Sequence, residues 1–151
     1  MKEGTLGTTT LVHVAIVVGD IEARLHAWAE ILGLPVPQII ITDTVDVAHT
    51  EYQGKPSQAR AKIASFRLGQ AAVELIEPID GPSTWKDQLD RHGDSLQHLA
   101  FRIEGMDEKV AHLEAKGMPL VQQGDFKGGR YVYVDGSAQL GTMLELMEIV
   151  E

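Results

Sequence analysis

His98-Leu99-Ala100-Phe101-Arg102-Ile103-Glu104-Gly105-Met106-Asp107-Glu108-Lys109-Val110-Ala111-His112-Leu113-Glu114-Ala115-Lys116-Gly117-Met118-Pro119-Leu120 decides the fold, because a weaker copy of it stands near the N-terminus. Moving back 85 positions takes His98 to His13, Ala100 to Ala15, Phe101 to Ile16, Met106 to Ile21 and Val110 to Leu25. After one inserted residue, Gly117-Met118-Pro119 meets Gly33-Leu34-Pro35. A second pair follows at another offset: Val73-Glu74-Leu75-Ile76-Glu77 returns 71 residues later as Leu144-Glu145-Leu146-Met147-Glu148. Each half opens with a histidine on an apolar run and closes with a glutamate on another, as a duplicated unit would.

The flanking pattern fills in the unit. Leu11 to Val18 is a short run rich in Val, Leu and Ile, ended by Gly19-Asp20, and its length predicts a strand. Asp20 is placed to cap a helix from Ile21 to about Leu32, with Ile21, Leu25, Trp28 and Leu32 at helical spacing and Gly33 to stop it. Ile39-Ile40-Ile41 reads as a strand, and Asp43 to Gln58 as a polar loop. Residues 59–68 and 71–77 form a hairpin about Gly69-Gln70.

Residues 78–94 read as a connector with a short amphipathic piece that puts Trp85, Leu89 and His92 on one face. The order then repeats: strand 96–103, helix 106–116 stopped by Gly117, short strand 120–122, turn 124–129, strand 130–134, turn 135–141, strand 142–149. The expectation is an α+β fold in which two βαβββ repeats, about 11–77 and 95–150, form one curved, cup-shaped mixed sheet in a single domain over 1–151. Residues 1–10, rich in Gly and Thr, read as a loose lead-in.

Composition narrows the class. Hydrophobic residues at 44% are enough to bury a core in a chain of 151 residues. With 13 basic against 22 acidic residues the formal charge is -9, which disfavours nucleic acid and anionic lipid as partners. The absence of cysteine excludes disulfides and thiolate metal sites, and no run approaches the ~20 apolar residues of a membrane span. A cytoplasmic location is expected.

With His13 in its N-terminal strand, the chain resembles the vicinal-oxygen-chelate superfamily, which includes glyoxalase I, methylmalonyl-CoA epimerase, extradiol dioxygenases and the bleomycin-resistance proteins. The likeness spans His13 to Glu148. It implies a divalent metal held from the first and last strands of each unit, at His13 of His-Val-Ala-Ile, Glu74 of Val-Glu-Leu-Ile-Glu-Pro, His98 of Gln-His-Leu-Ala-Phe and Glu145 of Met-Leu-Glu-Leu. Residue chemistry agrees. Two neutral imidazoles and two carboxylates cancel a divalent charge, and this N/O set suits Co, Ni, Zn, Mn or Fe(II) without choosing among them. An unpaired carboxylate in an apolar strand is costly to bury, and packing explains poorly why the anomaly occurs twice, each time with a histidine at the start of its half.

Within the superfamily the likeness is strongest to the methylmalonyl-CoA epimerase branch, through Glu74 to Pro78, Gly81-Pro82-Ser83-Thr84-Trp85 and Ser95 to Ile103. It implies a small-molecule substrate such as an acyl-CoA thioester, a homodimer, and Glu145 as a base on the carbon alpha to the carbonyl. A glyoxalase-I-like lactoylglutathione lyase is the enzymatic alternative, and a resistance-type ligand-sequestering protein the binding alternative. Three departures stand out. Gln97-His98 replaces a frequent His-His, Asp135-Gly136-Ser137 replaces a His-Pro-Lys-like turn, and residues 59–68 hold no carboxylate to serve as an opposite-face base.

The other polar residues carry simpler expectations. His26, His49, His92 and His112 should be solvated, and Glu77 and Glu148 should lie on the face opposite the ligands, exposed. Arg60, Lys62, Arg67, Lys127 and Arg130 are available as rim cations for an anionic substrate.

Overall fold

A computed structural model describes residues 4–150, so the expected unit over 1–151 has its first three residues and its last outside the described range. The first half begins with β1 (Leu11–Val17) and α1 (Ile21–Leu32). The Asp20 carboxylate accepts from the Ala23 N–H at 3.1 Å, and Gly33, at φ 67°, takes the left-handed turn that ends the helix. β2 (Ile40–Ile41), β5 (Ala59–Leu68) and β6 (Ala71–Asp80) complete the half. β6 continues past Pro78, three residues further than expected from the sequence. Its β1 neighbour has already ended at the Val17–Ile76 pair, so no ladder there lacks the missing proline N–H.

Between β2 and β5 the polar loop expected from the sequence is an ordered strap: α2 (Val45–Ala48), β3 (Glu51–Tyr52) and β4 (Lys55–Pro56). It leaves its own half and pairs with the other one, Tyr52 against Gln122 and Glu51 against Gln123. Gln53 and Gly54, both at positive φ, make the two-residue turn between β3 and β4.

α3 (Thr84–His92) follows, and then the second half: β7 (Ser95–Arg102), α4 (Met106–Ala115), β8 (Leu120–Phe126), β9 (Gly129–Gly136), α5 (Ser137–Leu140) and β10 (Thr142–Ile149). β8 and β9 are longer than their apolar runs suggested, which shrinks the turn between them to Lys127 and Gly128. All ten strands form one curled mixed sheet, in the order β2-β5-β6-β1-β7-β10-β9-β8-β3-β4. β1 runs parallel to β6, β7 parallel to β10, and the halves meet along the antiparallel β1–β7 seam. This is the cup of two βαβββ repeats.

Two equivalent apolar clusters hold the helices to the outside of the sheet. Ile21, Leu25 and Ala29 of α1 pack on Val18, Ala64, Phe66 and Leu75, while Met106, Val110 and Leu113 of α4 pack on Ile103, Val132, Val134, Leu144 and Leu146. Burying each larger side chain contributes about 1.5–3 kcal/mol. A third cluster lies inside the cup, where Trp85 and Tyr133 meet Val17, Ala59, Ala61 and Ile76. The lead-in is tied down rather than loose: Leu6 packs on the α4 cluster, and its carbonyl accepts from Lys109 Nζ at 3.0 Å.

Candidate metal centre

The duplicated register places the four suspects together. In the first half His13 pairs with Ala72 and Ala15 with Glu74; in the second, His98 pairs with Met143 and Ala100 with Glu145. Across the seam Ala15 faces His98 and Ala100 faces His13. Each alanine, 0% exposed, therefore sits between a histidine and a glutamate drawn from different halves. A methyl group at those two positions leaves the space above it free. The repeat in the sequence contained this Ala15–Ala100 match without revealing its use.

The side chains converge on one point. His13 Nε2 lies 2.6 Å from Glu74 Oε2 and 3.7 Å from Glu145 Oε2; His98 Nε2 lies 2.8 Å from Glu145 Oε2 and 3.8 Å from Glu74 Oε2. The two Nε2 atoms are 3.2 Å apart, and all four donor atoms fall within 4.8 Å of one another. Ligands ~2.1 Å from a shared ion stand ~3.0 Å apart at right angles and ~3.4 Å apart in a tetrahedron, so the observed separations bracket a coordination polyhedron. The approach of His13 to Glu74 lacks hydrogen-bond geometry, and Glu74 Oε2 is a buried oxygen without a hydrogen-bond partner. An orphaned anionic oxygen beside two imidazole nitrogens fits a divalent cation better than it fits a packed core.

The electrostatics agree. Burial alone would lower the His13 pKa, but the close approach and negative charges of Glu145 and Glu74 outweigh it and hold it at about 10. Burial raises the Glu145 pKa, yet the charge of His98 and the contacts with both histidines pull it far below the carboxylate range. The quartet thus draws a proton where it can draw a metal. Burial, and then the Glu145 charge, push the Tyr133 phenol well above its usual value; burial is also the main reason Tyr131 is raised to about 12. Both tyrosines stay neutral at working pH and serve as walls and hydrogen-bonding groups rather than bases.

The walls of the cup differ. Tyr133, the register partner of Glu145, packs edge-on to His98 with ring centroids 4.8 Å apart, and Trp85 Nε1 donates to its hydroxyl at 3.0 Å. Glu74 instead pairs with Ser65, which is exposed. A cavity of about 1080 Å³ includes none of the quartet; it is an open groove between the lead-in and the ends of β7 and β10, lined by Leu6, Arg102, Lys109 and Glu148.

The remaining candidates go elsewhere. His26, His49, His92 and His112 are exposed as expected, and His49 meets Asp125 at 2.8 Å. Glu77 and Glu148 do lie on the opposite face, but they are half-buried rather than exposed, because each closes a helix start. Glu77 accepts from the Ile21 N–H at 2.9 Å, and Glu148 from the Met106 N–H at 3.0 Å. Arg130 pairs with Glu148 and Asp107, Lys62 with Glu77, and Arg60 with Asp80 and the Thr42 carbonyl, which removes these three from the rim. Arg67 and Lys127 are exposed. Sequence reasoning noted Gln97 only as a departure, yet its Oε1 meets His98 Nδ1. Among the described residues, no helix is long and apolar enough to cross a membrane.

The comparisons with known proteins follow the same lines. A 2-epi-5-epi-valiolone epimerase from an Actinomyces species is 28% identical over 97% of this chain and 82% of its own length. The crystal structure of methylmalonyl-CoA epimerase from Mycobacterium tuberculosis superposes with a TM-score of 0.64 at 22% identity, covering 100% of this chain and 93% of that one. A methylmalonyl-CoA epimerase in complex with methylmalonyl-CoA and NH4+ superposes with a TM-score of 0.60 at 20% identity, over 93% of this chain and 94% of that one. The sequence profile of the Glyoxalase/Bleomycin resistance protein/Dioxygenase superfamily matches residues 12–134, and the chain belongs to that superfamily.

Proposed function

We propose that the chain is a divalent-metal-dependent epimerase that removes and returns a proton on the carbon alpha to a carbonyl, with His13, Glu74, His98 and Glu145 as ligands and Glu145 as a base. The observation that carries this reading is the convergence of two imidazole nitrogens and two carboxylate oxygens, one of them orphaned, at the seam of the duplicated fold. A bound divalent ion would supply Lewis-acid stabilisation of the negative charge that develops on the substrate oxygen. The protein's part is to hold the ligands, keep their surroundings dry, and offer the Glu145 carboxylate to the proton. Tyr133, bonded to Trp85, walls the Glu145 side, while the small, exposed Ser65 pairs with Glu74 and gives a substrate its approach on that side.

That the named relatives are epimerases supports the reaction class, and the fold of the methylmalonyl-CoA epimerases supports a branched acyl-CoA thioester as the first substrate to try. The same reading gives a cytoplasmic homodimer, and light scattering that finds only the 16.5 kDa monomer would remove the dimer. The activity is tested by loading the protein with each candidate metal and following solvent deuterium by NMR. Incorporation at the alpha carbon of a 2-methyl-branched malonyl thioester supports the epimerase. Consumption of the methylglyoxal hemithioacetal alone moves the protein to the lyase class, and tight ligand binding with neither reaction moves it to the binding class.

A further inference from the structure

Gln97, Thr84 and Gln122 are buried polar side chains at 3%, 5% and 1% exposure, and the function above uses none of them. They form one directed hydrogen-bond chain that starts at a member of the quartet. His98 Nδ1 meets Gln97 Oε1; Gln97 Nε2 donates to Thr84 Oγ1 at 3.3 Å; the Thr84 N–H donates to Gln122 Oε1 at 2.8 Å; Gln122 Nε2 donates to the Tyr131 hydroxyl at 3.3 Å. Because the Thr84 N–H can only donate, Gln122 must present its carbonyl oxygen there, which turns its amide nitrogen towards Tyr131. At the other end, Gln97 gives its amide nitrogen to the threonine oxygen and therefore turns its carbonyl to His98. An acceptor at Nδ1 fixes the proton on that nitrogen and leaves the Nε2 lone pair aimed at the centre of the quartet.

The backbone explains how Gln97 gets there. Neighbours on a strand point to opposite faces, so Gln97 should be turned away from His98. The β1–β7 ladder slips at this point: Ala15 pairs with His98 and Ile16 with Leu96, leaving Gln97 as the unpaired residue of a bulge. A bulge re-aims a side chain. Thr84 comes from the first turn of α3, so the connector between the halves reaches the site through this chain.

We infer that Gln97, oriented by Thr84, is a positioning residue that selects the metal-competent tautomer of His98. The inference rests on the quartet being a metal site. It is tested by measuring Co(II) affinity against a competing chelator, together with the Co(II) absorption spectrum and the melting temperature of the metal-free proteins. Gln97→Leu should weaken Co(II) binding by about 10- to 100-fold and shift the visible bands, as loss of a partner to a ligand histidine does. Gln97→Glu should keep the affinity even where its buried charge lowers the metal-free melting temperature, because a carboxylate also accepts from Nδ1–H. Thr84→Val, which frees the Gln97 amide to flip, should weaken binding by a smaller factor. Affinity that simply follows the metal-free melting temperature across the three variants, or a folded Gln97→Leu that binds as tightly as wild type, overturns the proposal. A wild-type protein that takes up no ion removes the metal reading itself, and this proposal with it.

Discussion

The two halves of the molecule place their quartet residues in the same way and build their walls differently. In both, the histidine and glutamate stand on parallel neighbouring strands with the same two-residue offset, and an alanine fills the position between a histidine and a glutamate. Around that shared centre the second half sets Tyr133 beside Glu145, its hydroxyl held by Trp85 of the connector, whereas the first pairs Glu74 with exposed Ser65. The first half also sends the strap of residues 43–58 across, where Glu51 and Tyr52 pair with β8, and among the described residues no strand of the second half makes the reciprocal pairing. The symmetric part is what metal ligation requires. Both carboxylates are buried, but the asymmetric part walls one with aromatic rings and the other with a small polar residue, and this is where substrate choice and the division of labour between them can arise.

Exchanging each glutamate for glutamine breaks the comparison most sharply. Glu145→Gln should lower solvent-deuterium exchange into substrate by the ~10²–10⁴ expected for loss of a general base, while keeping an oxygen ligand and much of the substrate binding. Glu74→Gln should act mainly through metal affinity, so that exchange recovers at saturating metal. Equal and unrecoverable losses in both variants would give the two carboxylates the same role, and a larger loss in Glu74→Gln would reverse their assignment.

The alanine floor should respond next. Ala15→Leu and Ala100→Leu each push a side chain into the space between the quartet residues, at a cost of about 1–3 kcal/mol, or roughly 5- to 150-fold in metal affinity. Because the two positions are equivalent by register, their effects should match. A variant that binds metal normally would show that the ion lies away from the seam.

The smallest effect concerns the second pair of glutamates. Removing the charge in Glu148→Gln should cost about 1 kcal/mol through the start of α4, read from chemical denaturation. Bonds from the Met106 backbone and from Arg130 hold the Glu148 pKa below its ordinary value, so its contribution is present in full above the usual carboxylate pKa and fades as the pH falls through the lowered one. The difference between wild type and variant should therefore shrink in acid. Glu77→Gln supplies the matching measurement on α1, where the Asp20 cap remains in place and the loss should be smaller.

What was legible in the sequence follows the same division. The duplicated runs exposed the halves, the helix stops at Gly33 and Gly117, and all four quartet residues, because burial and repetition both leave traces in a single chain. The strap did not show, since its two-residue ladder is made with Gln122 and Gln123, about seventy positions away, and carries no local period. Glu77 and Glu148 read as exposed because strand alternation gives the face but not the helix end that waits there. Gln97 was visible only as a departure, for a bulge that turns a side chain depends on the register of two strands and not on the residue itself.

The central claim is that the seam holds one divalent ion in place of a proton. The most direct test is a metal titration of wild type, His98→Ala and Glu145→Ala, with elemental analysis and pH-stat recording of released protons. Wild type should take up about one ion per chain. At pH 8 it should release about one proton as it does so, because the His13 pKa of about 10 keeps that imidazole protonated until the ion arrives. For the same reason the apparent affinity should climb about tenfold per pH unit below that pKa. Both variants should lose most of the metal while staying folded by circular dichroism. Stoichiometric metal retained in both, with no proton released on loading wild type, would contradict the account.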